Sequence, residues 1–403
     1  MAFGELGVKL LNRVKYGCDL DSYSYLKNGM LQWSNNPHKR INLMVSTIDR
    51  TKMYGGLTTA FNFFEALEKQ CQDFDVRIIV TNVEVNSNVA DAYQGFEVVS
   101  EGDFSSRFQI FDYTIKNSSR PSLTVRENDI FLCTFWTTMY LAREIRDAQK
   151  EKYGRFNPII YLIQDYEPGF YKWSSDYLLA ESTYKAEKTI AVINSINLME
   201  YMKSFHYTFF QTYYFQPKLN RELKEVLLSS REVERSNRVI IYGRPFNGRN
   251  CFSLIVAALN DAIEKDEDLK EWEFCSIGAK HKNIRLARNA VLINKGKLSI
   301  KEYGNMLLRS KVGISMMCSP HPSYPPLEMA TFGVKTITNA FLSKDLSLFS
   351  SNIISVEEPT VSQLSDAIIE SCKGPLGRID YEAGYINDDD QFGEIIMHIR
   401  DLL

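Results

Sequence analysis

The chain has 403 residues, 44% of them apolar and 12% aromatic, with a formal net charge of −3. That length predicts two domains of ordinary size, and the charge offers no footprint for general nucleic-acid binding. Seven scattered cysteines without CxxC spacing fit a reducing cytoplasm and argue against structural zinc, while no apolar run approaches the ~18 residues of a membrane span.

Met1 to Val14 carries Phe3, Leu6, Val8, Leu10 and Leu11, interrupted by Glu5, Lys9 and Arg13. The charges exclude a signal-peptide core and leave an amphipathic helix, either docked on the body or lying on a membrane surface. Ile41 to Val45 then predicts a buried strand, and Ser46 to Tyr54 a loop ending in Gly55-Gly56. Ala60, Phe61, Phe64 and Leu67 predict an amphipathic helix behind it. Backbone N–H groups at such a helix start can face an anion. The pair is not GxGxxG, so a dinucleotide fingerprint is absent, and a plain turn is the alternative.

Further strands are expected at Val76 to Val80, Phe96 to Val99, Ile130 to Phe135, Ile159 to Ile163 and Thr189 to Ile193, with helices near 139–149, 177–188 and 198–204. This alternation predicts a parallel sheet covered on both faces. Two of the strands run into loops suited to sugars, Phe135-Trp-Thr-Thr138 and Gln164-Asp-Tyr-Glu-Pro-Gly-Phe-Tyr-Lys-Trp173. Gln164, Asp165 and Glu167 offer groups that pair with hydroxyls, and rings such as Trp136 cover an apolar C–H face. The alternative is a loop anchored by its rings, with solvated acids. Pro217 to Asn237 is polar and charged without a strand, which marks a domain junction. It separates an N-terminal domain (1–225, with 388–403 packing back on it) from a C-terminal one (226–387).

The alternation then restarts. Strands are expected at Val239 to Tyr242, Glu273 to Ile277, Val291 to Ile293, Val312 to Met317, Val334 to Ile337 and Ile353 to Val356. Helices are expected at Cys251 to Ile263, Ile300 to Leu308, Leu327 to Phe332 and Val361 to Cys372. Arg244 and Arg249 lie in the glycine loop Gly243 to Asn250 that opens a helix, where two guanidiniums and helix N–H groups suit a phosphate or diphosphate. Lys297, in competition with Lys295, adds a further cation after the next strand edge. Ser319-Pro-His-Pro-Ser-Tyr-Pro-Pro-Leu-Glu328 is stiffened by its prolines, and Glu328 is expected in the first turn of the following helix. His321 is the one histidine of five in a candidate site, contacting a sugar or stiffening the loop. Asp388 to Asp390 reads as an acidic cap on the last helix, Phe392 to Leu403, and no metal is expected. The two Rossmann-like halves, one with a basic cradle and one with sugar-suited loops, describe an α/β protein of the GT-B type. Its two domains would face across a cleft, with the C-terminal helix crossing back to the first.

The motifs Tyr242-Gly-Arg-Pro245, Gly296-Lys-Leu-Ser299, Ser319 to Glu328 and Ile163-Gln-Asp-Tyr-Glu-Pro168 resemble those of WsaF-type rhamnosyltransferases within the retaining glycosyltransferase family 4. The likeness runs from about Ile41 to the C-terminus. It implies dTDP-L-rhamnose as donor, with no other cofactor, and a growing rhamnose-containing glycan as acceptor; the location expected is cytoplasmic, and a lipid-linked acceptor and a place at the inner face of the membrane are left open. It also implies that Arg244 and Lys297 hold the diphosphate, that Glu328 takes the ribose hydroxyls, that Tyr324 lies by the nucleotide, and that Gly55 and Gly56 close over the donor. The usual first glutamate of family 4 falls at Pro320, a loss the WsaF pattern shares. Catalysis is expected to proceed by front-face attack, with Arg244 and Lys297 stabilising the leaving diphosphate and Asp165 and Glu167 orienting the acceptor; Asp165 as a base is the fallback. A UDP- or GDP-sugar donor and a catalytically silent GT-B binding protein remain open, and the oligomeric state is not determined.

Overall fold

Continuous apolar runs of strand length require cover on both faces, and the chain supplies it twice. The structure, a computed structural model, describes residue 15 and residues 21–49, 51, 55–229, 233–387 and 390–403. Met1 to Val14, Asp388 and Asp389 lie outside the described residues, and with them the amphipathic N-terminal helix and most of the acidic cap. Two compact units emerge, one of residues 1–193, 207–213 and 391–403, the other of residues 194–206 and 214–390.

In the N-terminal unit the sheet order is Gln211–Phe215, Thr189–Asn194, Ile159–Ile163, Asp129–Cys133, Arg40–Val45, Asp75–Val80, Phe108–Asp112 and Glu97–Val99. The seven strands from Thr189–Asn194 onward pair in parallel. Arg40–Val45 is buried along its whole length. From it the chain moves outward through Asp75–Val80, then returns to the other side at Asp129–Cys133. The crevice between those two neighbours of the direction change, at the carboxyl ends of the strands, is where open α/β sheets bind ligands. Leu31–Ser34 and Leu123–Arg126 form a separate parallel pair. Helix Gly393–Leu402 buries Ile396 and Ile399, and Phe392 beside it meets the Phe63 ring edge-on at 5.3 Å.

Four strands of the N-terminal half lay outside the sequence expectation. Phe108–Asp112 and Leu123–Arg126 interleave polar residues with apolar ones, and Gln211–Phe215 buries Phe215 alone; none is the unbroken apolar run that flags a buried strand. Leu31–Ser34 is short and part-exposed. The strand expected to reach Phe135 stops at Cys133, because the Thr138 hydroxyl accepts hydrogen bonds from the backbone of Thr134 and Phe135, at 3.1 Å each, and starts helix Trp136–Tyr153 there.

The C-terminal unit has the sheet order Ile284–Arg285, Val291–Gly296, Glu273–Gly278, Ser236–Gly243, Ser310–Ile314, Lys335–Asn339 and Ile353–Val356. All neighbours are parallel except the two-residue edge strand. Helices Phe252–Lys265 and Val361–Lys373 cover one face through Ile255, Leu259, Leu364 and Ile368. Helices Arg221–Ser229, Ile300–Leu308 and Tyr324–Thr331 supply Leu223, Leu227, Leu307 and Met329 to a second buried cluster. The chain again reverses direction beside its first strand, so Ser236–Gly243 and Ser310–Ile314 present their carboxyl-end loops side by side.

Residues 221–229 correct the junction expected over Pro217 to Asn237. The charges there line the outer face of a helix whose Leu223 and Leu227, four apart, are buried. Gly304 on the neighbouring helix leaves no room for a side chain, since a Cβ would stand 2.9 Å from Val226. A second correction concerns Glu328. Its helix begins at Tyr324, with both prolines inside the first turn, so the carboxylate sits past that turn, and pairing with the helix dipole does not account for it.

Candidate functional site

At the direction change of the C-terminal sheet, the loop after Ser236–Gly243 starts from a glycine that nothing larger can replace. A Cβ on Gly243 would lie 2.1 Å from Ser276 Oγ and 2.8 Å from the Phe252 ring. Arg244 follows and is exposed, while Arg249 is half-buried. The loop is stitched to its neighbour: Asn250 Nδ2 donates to Met316 O at 3.3 Å and Cys318 N donates to Arg249 O at 2.8 Å. From the other side Asn339 pairs with both backbone groups of Met317, at 2.8 and 3.1 Å, and the fully buried Lys344 donates to Met317 O at 2.6 Å. Side-chain hydrogen bonds therefore set the entry to the proline loop, and the prolines alone do not.

Within that loop His321 is buried and its Nδ1 accepts from Ser323 N at 3.0 Å. Of the two roles open to it, this geometry supplies the stiffening one. Tyr324 is half-buried, and its hydroxyl accepts from Asn194 Nδ2 at 3.2 Å. Glu328 is held by Tyr303, whose hydroxyl donates to Oε2 at 3.0 Å. Burial pushes the Glu328 carboxyl up to about 7, against the pull of that hydrogen bond. Tyr242 joins the group: burial raises its hydroxyl, Arg244 draws it back down, and the Glu328 charge raises it again. The charges of Arg244 and Glu328 thus both act on Tyr242, and Tyr303, which holds Glu328, packs on the same buried cluster as Tyr242. Lys297 is exposed in the turn after Val291–Gly296, at the same sheet edge. Its neighbour Leu298 packs on the cluster that also receives Tyr242 and Tyr303. Lys295, the competing cation, lies instead toward Glu273, whose carboxyl it helps to hold down.

The N-terminal unit sorts its expected residues differently. Gly55 and Gly56 open helix Gly55–Gln70, and Gln164 donates through Nε2 to Gly56 O. Asp165 is half-buried and accepts from Tyr166 N at 2.8 Å. Trp136 and Glu167, expected to touch sugar, are 1% and 2% exposed. The indole donates to Tyr171 Oη at 2.9 Å, and Glu167 Oε2 accepts from Trp136 N at 2.5 Å and Tyr161 Oη at 2.9 Å. These two anchor the loop from inside and present nothing to a ligand. Burial pushes the Glu167 carboxyl up to about 8, against both hydrogen bonds.

That shift has a sign. A carboxyl whose folded pKa is raised adds stability below its unfolded value, near 4.5, and loses it as pH rises through about 8. The stability difference between the native chain and Glu167→Gln is therefore expected to move against the native chain by up to ~1.4 kcal/mol per pH unit across that window. Urea midpoints of both proteins at pH 5.5, 7 and 8.5 measure it; parallel lines would mean that Glu167 is ionised throughout.

Comparison with known proteins now bears on these sites. A WsaF N-terminal domain model matches residues 40–196 and a WsaF C-terminal domain model matches residues 237–369, together more than two thirds of the chain. The chain belongs to the WsaF family of glycosyltransferases. It is also 32% identical over 213 residues to the O-antigen biosynthesis protein RfbC of Myxococcus xanthus; the match takes 52% of this chain and 15% of that protein's length. Among solved structures, the UDP-forming trehalose-phosphate synthase of Burkholderia vietnamiensis aligns at a TM-score of 0.56 and 9% identity, over 91% of this chain and 98% of its own. HepE of Anabaena, solved with UDP-glucose, aligns at 0.53 and 10%, over 91% and 100%. Such identities speak to architecture, and the architecture is GT-B.

In this WsaF-family chain, sequence reasoning missed Tyr242, Tyr303 and Asn194. Tyr242 stood inside a quoted motif but read only as a strand end, and Tyr303 lay unremarked in the expected helix Ile300 to Leu308. No local pattern marks either as a partner of Glu328, 86 and 25 residues away in sequence respectively. Among the described residues no group of three His, Cys, Asp or Glu side chains is arranged to hold a metal ion, and no helix is long and apolar enough to cross a membrane.

Proposed function

We propose that this chain transfers L-rhamnose, with retention, from dTDP-L-rhamnose to a growing rhamnose-containing glycan at the inner face of a membrane. The observation that carries the reading is that Arg244 leaves the first strand at the direction change of the C-terminal sheet, while Glu328 is held by Tyr303 on the buried cluster that also receives Tyr242, with the two loops tied together through Asn250 and Cys318. Arg244 and Lys297 take the diphosphate, because guanidinium and ammonium groups at a sheet's carboxyl edge neutralise its oxygens. Glu328 accepts from the ribose hydroxyls, and Tyr324 lies by the base. The charge that grows on the leaving diphosphate is met by groups already in place, so little reorganisation is needed as the glycosidic bond breaks. The released diphosphate oxygen takes the proton of the attacking acceptor hydroxyl on the same face. Gln164 and Asp165, at the carboxyl end of strand Ile159–Ile163, orient the acceptor. RfbC's role in O-antigen biosynthesis supports a polysaccharide as acceptor.

The test is a donor panel of dTDP-rhamnose, UDP-glucose and GDP-mannose, offered with a rhamnose-terminated acceptor and followed by nucleoside diphosphate release. Release at least tenfold faster from dTDP-rhamnose is expected, with the product linkage retaining the donor's anomeric configuration. Preference for a UDP- or GDP-sugar would replace the donor assignment. Binding of glycan without turnover of any donor would favour a silent binding protein.

A further inference from the structure

Cys251 and Cys318 stand 67 residues apart in sequence, yet their sulfurs are 3.2 Å from each other. Cys251 begins helix Phe252–Lys265 from a left-handed backbone conformation (φ 53°), and Cys318 opens the proline loop. The pair therefore sits where the two loops of the C-terminal direction change meet. Both cysteines are free thiols; Cys318 is exposed and Cys251 half-buried, whereas Cys71, Cys133, Cys275 and Cys372 are buried. The hydrogen bond from Cys251 favours a thiolate on Cys318, burial opposes it, and Lys344 and Arg249 add favourable charge. The same hydrogen bond, with burial, raises Cys251. A nucleophilic thiolate with a protonated thiol beside it is the arrangement of an attacking and a resolving cysteine.

We propose that Cys251 and Cys318 are a thiol–disulfide modification site, closed by low-molecular-weight disulfides, that ties the two loops of this sheet edge together. The Cys318 thiolate attacks one sulfur of glutathione disulfide and expels a glutathione thiolate. Cys251 then gives up its proton and attacks the Cys318 sulfur of the mixed disulfide, expelling the second glutathione. Two protein thiols are oxidised by two electrons, and one disulfide is reduced to two thiols. The sulfurs must close by about 1.2 Å to reach bonding distance. Cys318 N holds Arg249 O, and Arg244 lies in the same short loop, so closure shifts the basic cradle. Displacements of about 1 Å in a positioning loop cost up to ~100-fold in function. This consequence for the donor rests on the proposed function; the chemistry at the two sulfurs does not.

The experiment treats the full chain with oxidised glutathione, alkylates the remaining thiols and maps the peptides, then measures dTDP affinity before and after dithiothreitol. A Cys251–Cys318 cross-linked peptide is expected while the four buried cysteines stay reduced, and Cys251→Ser should instead trap one glutathione on Cys318. Alkylation of both residues after treatment, or a lasting glutathione adduct on Cys318 of the native chain, overturns the proposal. The cross-linked protein should bind dTDP at least tenfold more weakly and recover on reduction; an unchanged affinity in fully cross-linked protein overturns control of the donor site. Failure of dTDP to bind even the reduced chain would overturn the donor reading, and the cross-link would still be decided by the peptide map.

Discussion

Arg244→Ala is expected to lower glycosyl transfer by a factor of about 10² to 10³, the usual loss when one preorganised stabiliser of transition-state charge is removed. The fold should not suffer. Arg244 is exposed, and substitutions at such positions usually change stability by no more than ~0.5 kcal/mol. Its backbone is held by neighbours that the substitution leaves alone, Gly243 packed against Ser276 and Asn250 tied to Met316. Arg244→Lys should recover part of the loss, since an ammonium keeps the charge but cannot grip two phosphate oxygens at once. Steady-state kinetics with a thermal melt of each variant measure both sides. Near-native turnover in Arg244→Ala would remove the diphosphate from this loop, and a fall in melting temperature matching the loss of activity would make the residue structural.

Asp129→Ala is expected to cost about 3–5 kcal/mol, the range for breaking a buried ion pair from one side, and so a large part of a stability of ordinarily ~5–15 kcal/mol. Asp129 is fully buried at the start of its strand. Arg40 grips it with two hydrogen bonds, at 2.7 and 2.8 Å, Arg77 stands 3.7 Å away, and Arg126 N donates to it at 2.9 Å. Arg40 and Arg77 are themselves buried, and Arg77 is pushed far down by burial and by the neighbouring Arg40 charge. Removing the carboxylate would leave these guanidiniums facing one another with only Asp103 and Asp75 at the margin of the network. Burial alone would raise the Asp129 carboxyl, but Arg40 and Arg77 hold it below its ordinary range. Its contribution is therefore present above pH ~4 and lost as pH falls through the depressed folded value. Urea unfolding of the native chain and of Asp129→Ala at pH 7 reads the difference. A shift under ~1 kcal/mol would mean that water reaches the arginines and that the network is not a dry one.

Much of the architecture could be read from local pattern. Ile159 to Ile163 is an uninterrupted apolar run, and Ile41 to Val45 and Ile353 to Val356 are broken by one polar residue each, Asn42 and Ser355; a run of that length that is apolar on both faces must be covered on both sides wherever it lies. The position of Arg244 and Glu328 at the sheet's carboxyl edge was legible because glycine and proline loops mark the ends of strands, and that edge is where open α/β sheets bind ligands. Trp136 and Glu167 show the limit. A tryptophan and a glutamate after adjacent strands read as a sugar platform, yet they satisfy each other's loop from inside, and nothing in either loop discloses which way its side chains turn.

The succession of strands and helices, the two-unit plan and the basic loop after Gly243 were therefore determined by the sequence alone, because burial on one face or both repeats with a period that neighbouring residues already display. Only the tertiary structure decided that Arg40 meets Asp129 across 89 residues, that Tyr303 holds Glu328, and that Cys251 lies against Cys318. Each of those pairings depends on which strands become neighbours in the sheet. Strand order is set by the packing of the whole unit, and no short window of the chain contains it.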